Sequence, residues 1–149
     1  MKLNKEKLPI IYESLKKNGI DAWLTVGRET IMKSEPVLPV LGDLSFIIAT
    51  TIIFTQEKCI AVVSPLDIEA YKGMEGIDDV RLYPGYMEDT VLEVLQEISP
   101  KVLALNISSA DSAADGMTVG FYRRLERVLD KLPVRPAVVS SFPVVAEVR

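Results

Sequence analysis

Histidine is absent from this sequence, and cysteine occurs once, at Cys59. The first absence removes the commonest acid–base side chain near neutral pH and the commonest transition-metal ligand. Serine and cysteine triads lose their usual base, and histidine-containing zinc sites are excluded. Carboxylate-bound metals, lysine chemistry, or no chemistry at all remain open. A lone cysteine forms no disulfide within the chain, and a reducing cytoplasm is the expected compartment. Its neighbours Ile60, Ala61 and Val62 put Cys59 in a buried strand, where a thiol behaves as a small hydrophobe.

Long apolar runs are also missing. The nearest to one, Leu44 to Phe54, is interrupted by Ser45, Thr50 and Thr51. It falls short of the roughly 20 apolar residues that a spanning helix needs. The amino terminus carries lysines followed by glutamate and proline, with no apolar signal-peptide stretch. Positive charge is in deficit: 17 Lys and Arg against 21 Asp and Glu give a formal net charge of −4. A nucleic-acid binder needs clustered cations. The nearest cluster, Lys5, Lys7, Lys16 and Lys17, has the spacing of a solvated helix face. Neither a nucleic acid nor a membrane is therefore expected as a partner.

What is present is a globular composition, 48% hydrophobic and 26% charged, on a length that suits one domain. Leu8, Ile11, Tyr12 and Leu15 recur at helical spacing, with Pro9 in the first turn and Gly19 as a stop. Ala22 to Val26 reads as a short strand ending at Gly27. The stretch from Arg28 to Asp43 supports a short helix around Glu29 to Lys33, with Pro36 and Pro39 breaking anything longer. Two β-branched runs, Thr50–Thr55 and Cys59–Val63, lie three residues apart and predict a hairpin. Ser64-Pro65 predicts a helix start, serine as cap and proline at the first helical position, with a stop near Gly73.

From there strand and helix alternate. Val80–Tyr83 is a strand, Val91, Leu92, Leu95 and Ile98 mark a helix ended by Pro100, and Lys101–Asn106 is a buried strand. Met117, Phe121, Leu125, Val128 and Leu132 form a long helical stripe before a last strand, Ala137–Ser140. The order predicts an α/β fold, a mixed β-sheet with helices on its faces.

No dinucleotide or Walker glycine pattern occurs, and no acids converge from the strands for a two-metal nuclease. The densest polar constellation runs from Asn106 through Ser108, Asp111, Asp115 and Gly116 to Thr118, between a buried strand and the long helix. Open α/β sheets often bind ligands at such a place. Short polar side chains also satisfy the backbone of a long loop, and Asp115 or Thr118 is placed to cap the helix. The structural reading is favoured. The acids do not fall at the alternating positions of a calcium loop.

The string ALNISSADSAADGMTVG, Ala104 to Gly120, resembles a loop in the amino-terminal domains of creatinase/prolidase-type metallopeptidases. Asn106, Ser108, Asp111, Ala114, Asp115, Gly116, Thr118 and Gly120 carry the match, and the order of elements agrees along almost the whole chain. The resemblance implies an RNase H-like α/β fold and a domain without catalytic or metal-binding residues. It implies a following catalytic domain of Xaa-Pro dipeptidase, aminopeptidase or creatinase type that holds two divalent metal ions. It further implies a homodimer in which this domain aids assembly and walls the active-site entrance. Asn106, Ser108, Asp111, Asp115, Gly116 and Thr118 are then candidate interface or pocket residues. Residues 1–141 are read as the domain and 142–149 as the start of a linker. On that reading Val144, Val145 and Val148 share a helical face that the rest of the chain leaves uncovered. The alternative is a free-standing small-molecule-binding or regulatory module with the Asn106–Gly116 loop as its pocket.

Overall fold

The computed structural model describes residues 1–149. Lys2–Leu3 (β1) pairs antiparallel with Gly42–Asp43 (β3) in a short ribbon beside the amino terminus. The main sheet is built on Ala22–Gly27 (β2) and Thr50–Thr55 (β4), in which every residue is buried. A strand with no wet face must be covered on both sides, and helices do so here. Cys59–Val63 (β5), Asp79–Leu82 (β6), Val102–Leu105 (β7) and Ala137–Ser140 (β8) complete six strands in the order β6–β5–β4–β2–β7–β8. The sheet is mixed: β2 is antiparallel to β4 and parallel to β7, which is in turn parallel to β8. The β4–β5 hairpin closes without glycine because Thr55 takes over the turn. Its Oγ1 accepts from the N–H groups of Glu57 and Lys58, and its own N–H donates to the Lys58 carbonyl.

Alternation along the strands sorts the core into two layers. Trp23, Ile52, Phe54, Cys59, Ala61, Val63 and Ala104 point to one face. There they meet Leu8–Lys17 (α1), Leu38–Leu41 (α2) and Phe142–Val148 (α6). Leu24, Val26, Ile53, Ile60, Val62, Leu103 and Leu105 point to the other. There Met87–Ile98 (α4) and Val119–Asp130 (α5) cover them. In α1 the buried Leu8, Ile11 and Leu15 form the stripe, Pro9 sits in the first turn, and Gly19 (φ 66°) turns the chain into β2. In α4 the last turn is closed by Ser99 in a left-handed conformation (φ 49°), immediately before Pro100. No helix is long and apolar enough to cross a membrane.

Three expectations are corrected. Residues 29–33 form one tight turn, with Met32 and Lys33 N–H groups donating to the Glu29 carbonyl, and not a helix. Ile31 and Met32 are exposed there, so no burial stabilises further turns. Pro39, read as a breaker, instead lies in the first turn of α2, where a missing N–H is harmless. After Ser64-Pro65 the regular helix is only Ile68–Tyr71 (α3). Ser64 still caps the turn before it, its Oγ accepting from Leu66 and Asp67 N–H groups.

The carboxyl-terminal segment differs from expectation too. Val144, Val145 and Val148 do share a face, but that face is fully buried against α1 and the first core layer. Lys7 donates to the Val148 carbonyl, and Lys17 pairs with Glu147 at 3.3 Å. A one-dimensional pattern shows which residues cluster on a helix but not that an element 129 positions away, as Asn18 is from Glu147, will cover them.

Leu125, 7% exposed, sits in the stripe of α5 that covers the second layer. Leu125→Ala is expected to lower stability by roughly 2–5 kcal/mol, through lost transfer energy and a residual cavity. A urea melt that matches the parent's would contradict this packing.

Candidate functional site

β7 ends at Leu105, and the next side chain, Asn106, turns into the core with 1% exposure. Its Oδ1 accepts from Trp23 Nε1 at 2.8 Å and from Ser141 Oγ at 2.7 Å. Its Nδ2 donates to Thr25 Oγ1 at 3.1 Å and to Glu35 Oε1 at 3.0 Å. All four hydrogen-bonding positions of the amide are filled, as a buried amide requires. One side chain thereby ties together β2, the 28–43 stretch, the end of β7 and the start of α6.

Glu35 is the charged member of this group, 4% exposed, with its Oε2 accepting from the Val37 N–H at 2.7 Å. Burial pushes its carboxyl up to about 7, and the donors Val37 and Asn106 pull it back only in part. Gly116 lies against this carboxylate. A Cβ there would run into Glu35 and stand 2.7 Å from Pro36 Cδ, so only glycine lets the loop approach.

The other loop residues are occupied locally. Ser108 Oγ accepts from Ala110 and Asp111 N–H groups, and Asp115 Oδ1 accepts from the Ser108 N–H at 2.9 Å. Asp111 accepts from the Ala113 N–H and holds Arg149 through both carboxylate oxygens. Together they keep the Asp111 carboxyl below the usual carboxylate range. Thr118 caps α5, its Oγ1 accepting from the Phe121 N–H at 3.2 Å. Of the six candidates, only Asp115, Gly116 and Thr118 border open space; Asn106 lies beneath it, and Ser108 and Asp111 stand apart.

That space is a cleft of about 240 Å³ beside the carboxyl end of β2. It is lined by Glu35 and Gly116, by the charged Arg28, Glu29, Lys33 and Asp115, and by Phe121. The guanidinium groups of Arg28 and Arg124 both lie 5.3 Å from the Phe121 ring centroid. Ser34 Oγ donates to the Glu35 carbonyl, and Thr118 Oγ1 accepts from the Phe121 N–H. No trio of His, Cys, Asp or Glu side chains converges anywhere in the chain. The arrangement can hold a polar ligand or a neighbouring polypeptide. Cys59 is buried and its thiol pushed well up by desolvation, which makes it inert.

Glu35 and Arg28 were not singled out from sequence, and Phe121 was read only as part of the helical stripe. Glu35 had one signal, an acid directly before the proline that opens an apolar stretch, Pro36 to Val40.

The geometry defines an α/β domain with a mixed six-stranded sheet and a polar cleft at one end. This fold is that of creatinase/prolidase amino-terminal domains. The N-terminal domain of cytoplasmic peptidase PepQ from Mycobacterium tuberculosis H37Rv superposes with a TM-score of 0.65 at 11% identity, over 98% of this chain and 100% of that one. The creatinase/prolidase N-terminal domain of an X-Pro dipeptidase from Streptococcus pyogenes gives 0.63 at 14%, over 96% and 98%. The prolidase from Pyrococcus horikoshii OT3 gives 0.63 at 23%, but there the chain spans 34% of the protein's length. It likewise spans 33% of the Xaa-Pro dipeptidase from Bacillus anthracis. No family model and no curated protein sequence matches the chain, so the likeness is one of fold.

Two outcomes follow from the buried network. Asn106→Ala leaves Trp23 Nε1 and Ser141 Oγ without partners and strips one donor from Glu35, and is expected to cost roughly 3–5 kcal/mol in a denaturant titration. Glu35 holds its proton more tightly folded than unfolded. The stability it lends is therefore full below its ordinary value of 4.5 and lost as pH rises through about 7. The melting temperature should fall across that window. Glu35→Gln should flatten the fall, although its amide sets an N–H against one of the two donors.

Proposed function

We propose that this chain is the amino-terminal domain of an Xaa-Pro peptidase or prolidase-like metallohydrolase, serving subunit assembly and the active-site entrance, not bond cleavage. The observation that carries the reading is the coverage. The fold matches isolated amino-terminal domains end to end, and about one third of complete prolidases. The loop from Ala104 to Gly120 supports it independently, because the residues that match the family are those that position this end of the sheet. The two divalent ions of such an enzyme would lie in a following catalytic domain. The residues here do not fit a two-metal centre: histidine is absent and no three acids converge. The cleft beside β2, with Arg28 and Asp115 on its walls, is the surface that would border an active-site entrance. A cytoplasmic location and a homodimer complete the proposal.

A second reading, a free-standing module that binds a small polar ligand, is favoured by the same cleft, since it lies at the carboxyl end of β2. The two readings separate on one experiment. The reading frame beyond Arg149 is expected to continue into a histidine-containing domain. Protein carrying it should hydrolyse Xaa-Pro dipeptides with manganese, cobalt or zinc, whereas the 149-residue chain alone should not. A stop codon directly after Arg149, or chelator-sensitive hydrolysis by this chain alone, would overturn the first reading.

A further inference from the structure

The two edges of the sheet are treated differently. β6 carries Asp79 and Arg81, and Arg81 pairs with Asp79 at 2.8 Å and with Glu97 at 2.5 Å. Charge of this kind keeps an edge from pairing with another chain. β8 at the other edge reads Ala137-Val138-Val139-Ser140, with no charge, no proline and no bulge, and β7 is its one neighbour. Exposed apolar residues stand at both of its ends and in its middle: Val134 at 76%, Val139 at 36% and Phe142 at 37%.

We propose that β8 pairs antiparallel with β8 of a second copy of this chain, about a twofold axis at Val139. The backbone sets that register. Ala137 and Ser141 donate to the carbonyls of Lys101 and Leu105, so alternate residues from Ala137 to Ser141 face β7. Val138 and Ser140 therefore turn their N–H and C=O groups outward. Outward residues must oppose outward residues in an antiparallel ladder. Val138 then exchanges hydrogen bonds with Ser140 of the partner subunit, and Val139 faces Val139 of the partner subunit in the close, non-hydrogen-bonded position. β-branched pairs are favourable there. The same operation sets Phe142 opposite Pro136 of the partner subunit, so the exposed Phe142 and the partner subunit's Val134 fall at the same end of the ladder. This self-complementarity points to a second copy and not to an arbitrary strand. The pairing gives the assembly role proposed above a definite surface, but its geometry rests on this chain alone.

A cysteine scan reads the register directly, because the native Cys59 is buried. Under mild oxidation Val139→Cys should form a disulfide-linked dimer, since opposed residues in a non-hydrogen-bonded pair fall within disulfide reach. Ser140→Cys, whose partner is Val138 and not itself, should stay largely uncrosslinked. The unsubstituted chain should show a concentration-dependent monomer–dimer equilibrium by sedimentation. The amides of Val138 and Ser140 should gain exchange protection as the dimer fills. Sedimentation as a monomer at every concentration, or equal crosslinking of the two variants, overturns the proposal. So does a dimer in which those amides stay unprotected. Any of these results leaves the peptidase reading untouched, because that is tested by the metal-dependent activity of the longer protein.

Discussion

The side-chain amide of Asn106 lies under the carboxyl ends of β2 and β7 and satisfies the indole of Trp23, the hydroxyls of Thr25 and Ser141, and the carboxylate of Glu35. Each of those groups is buried, and each would be costly without a partner. Much of the local architecture follows from meeting that demand. The 28–43 stretch must turn inward to deliver Glu35, and the loop after β7 must pass close enough that only glycine fits at position 116. α6 must begin where Ser141 can reach the amide. A polar group at the centre of an apolar layer thus fixes how three separate segments meet.

This accounts for the composition of the Asn106–Thr118 loop without a ligand. Ser108, Asp111 and Asp115 fold the loop on itself and Thr118 starts α5. What faces the cleft is instead a mixture of charges drawn from both sides, Arg28 and Lys33 from one and Asp115 from the other. The match to peptidase amino-terminal domains at identities of 11–23% fits this picture. Such a fold depends on the two-layer apolar pattern and on a few placed polar groups, and most other positions can change.

The regular elements were legible because their signals are local and redundant. In β2 an apolar run ends at Gly27, and in β4 and β5 two β-branched runs lie only three residues apart. In α1, α4 and α5 an apolar stripe of period 3.6 coincides with start and stop residues. The failures share a different property. At 29–33 Ile31 and Met32 stand exposed, with no surface to pack against. After Ser64 the cap was real, but Asp67 is drawn into bonds with the backbone of Ile47 and Ile48, and the regular helix starts only at Ile68. In α6 the clustering of valines was legible but not their burial. In each case the outcome hung on a partner distant in sequence.

The sequence alone determined that histidine chemistry and internal disulfides are excluded, that the sheet is mixed with helices on its faces, and that the polar loop lies between β7 and α5. Composition and periodicity suffice for these because they concern residue chemistry and neighbours within a few positions. Tertiary structure alone decided that Asn106 points into the core while Ser109 faces solvent, that Glu35 is buried and bound to it, and that β8 is left as an uncharged edge. The partners of Asn106 lie 83, 71 and 35 positions away at Trp23, Glu35 and Ser141. No local pattern encodes a contact that exists only once the sheet has closed and excluded water from the amide.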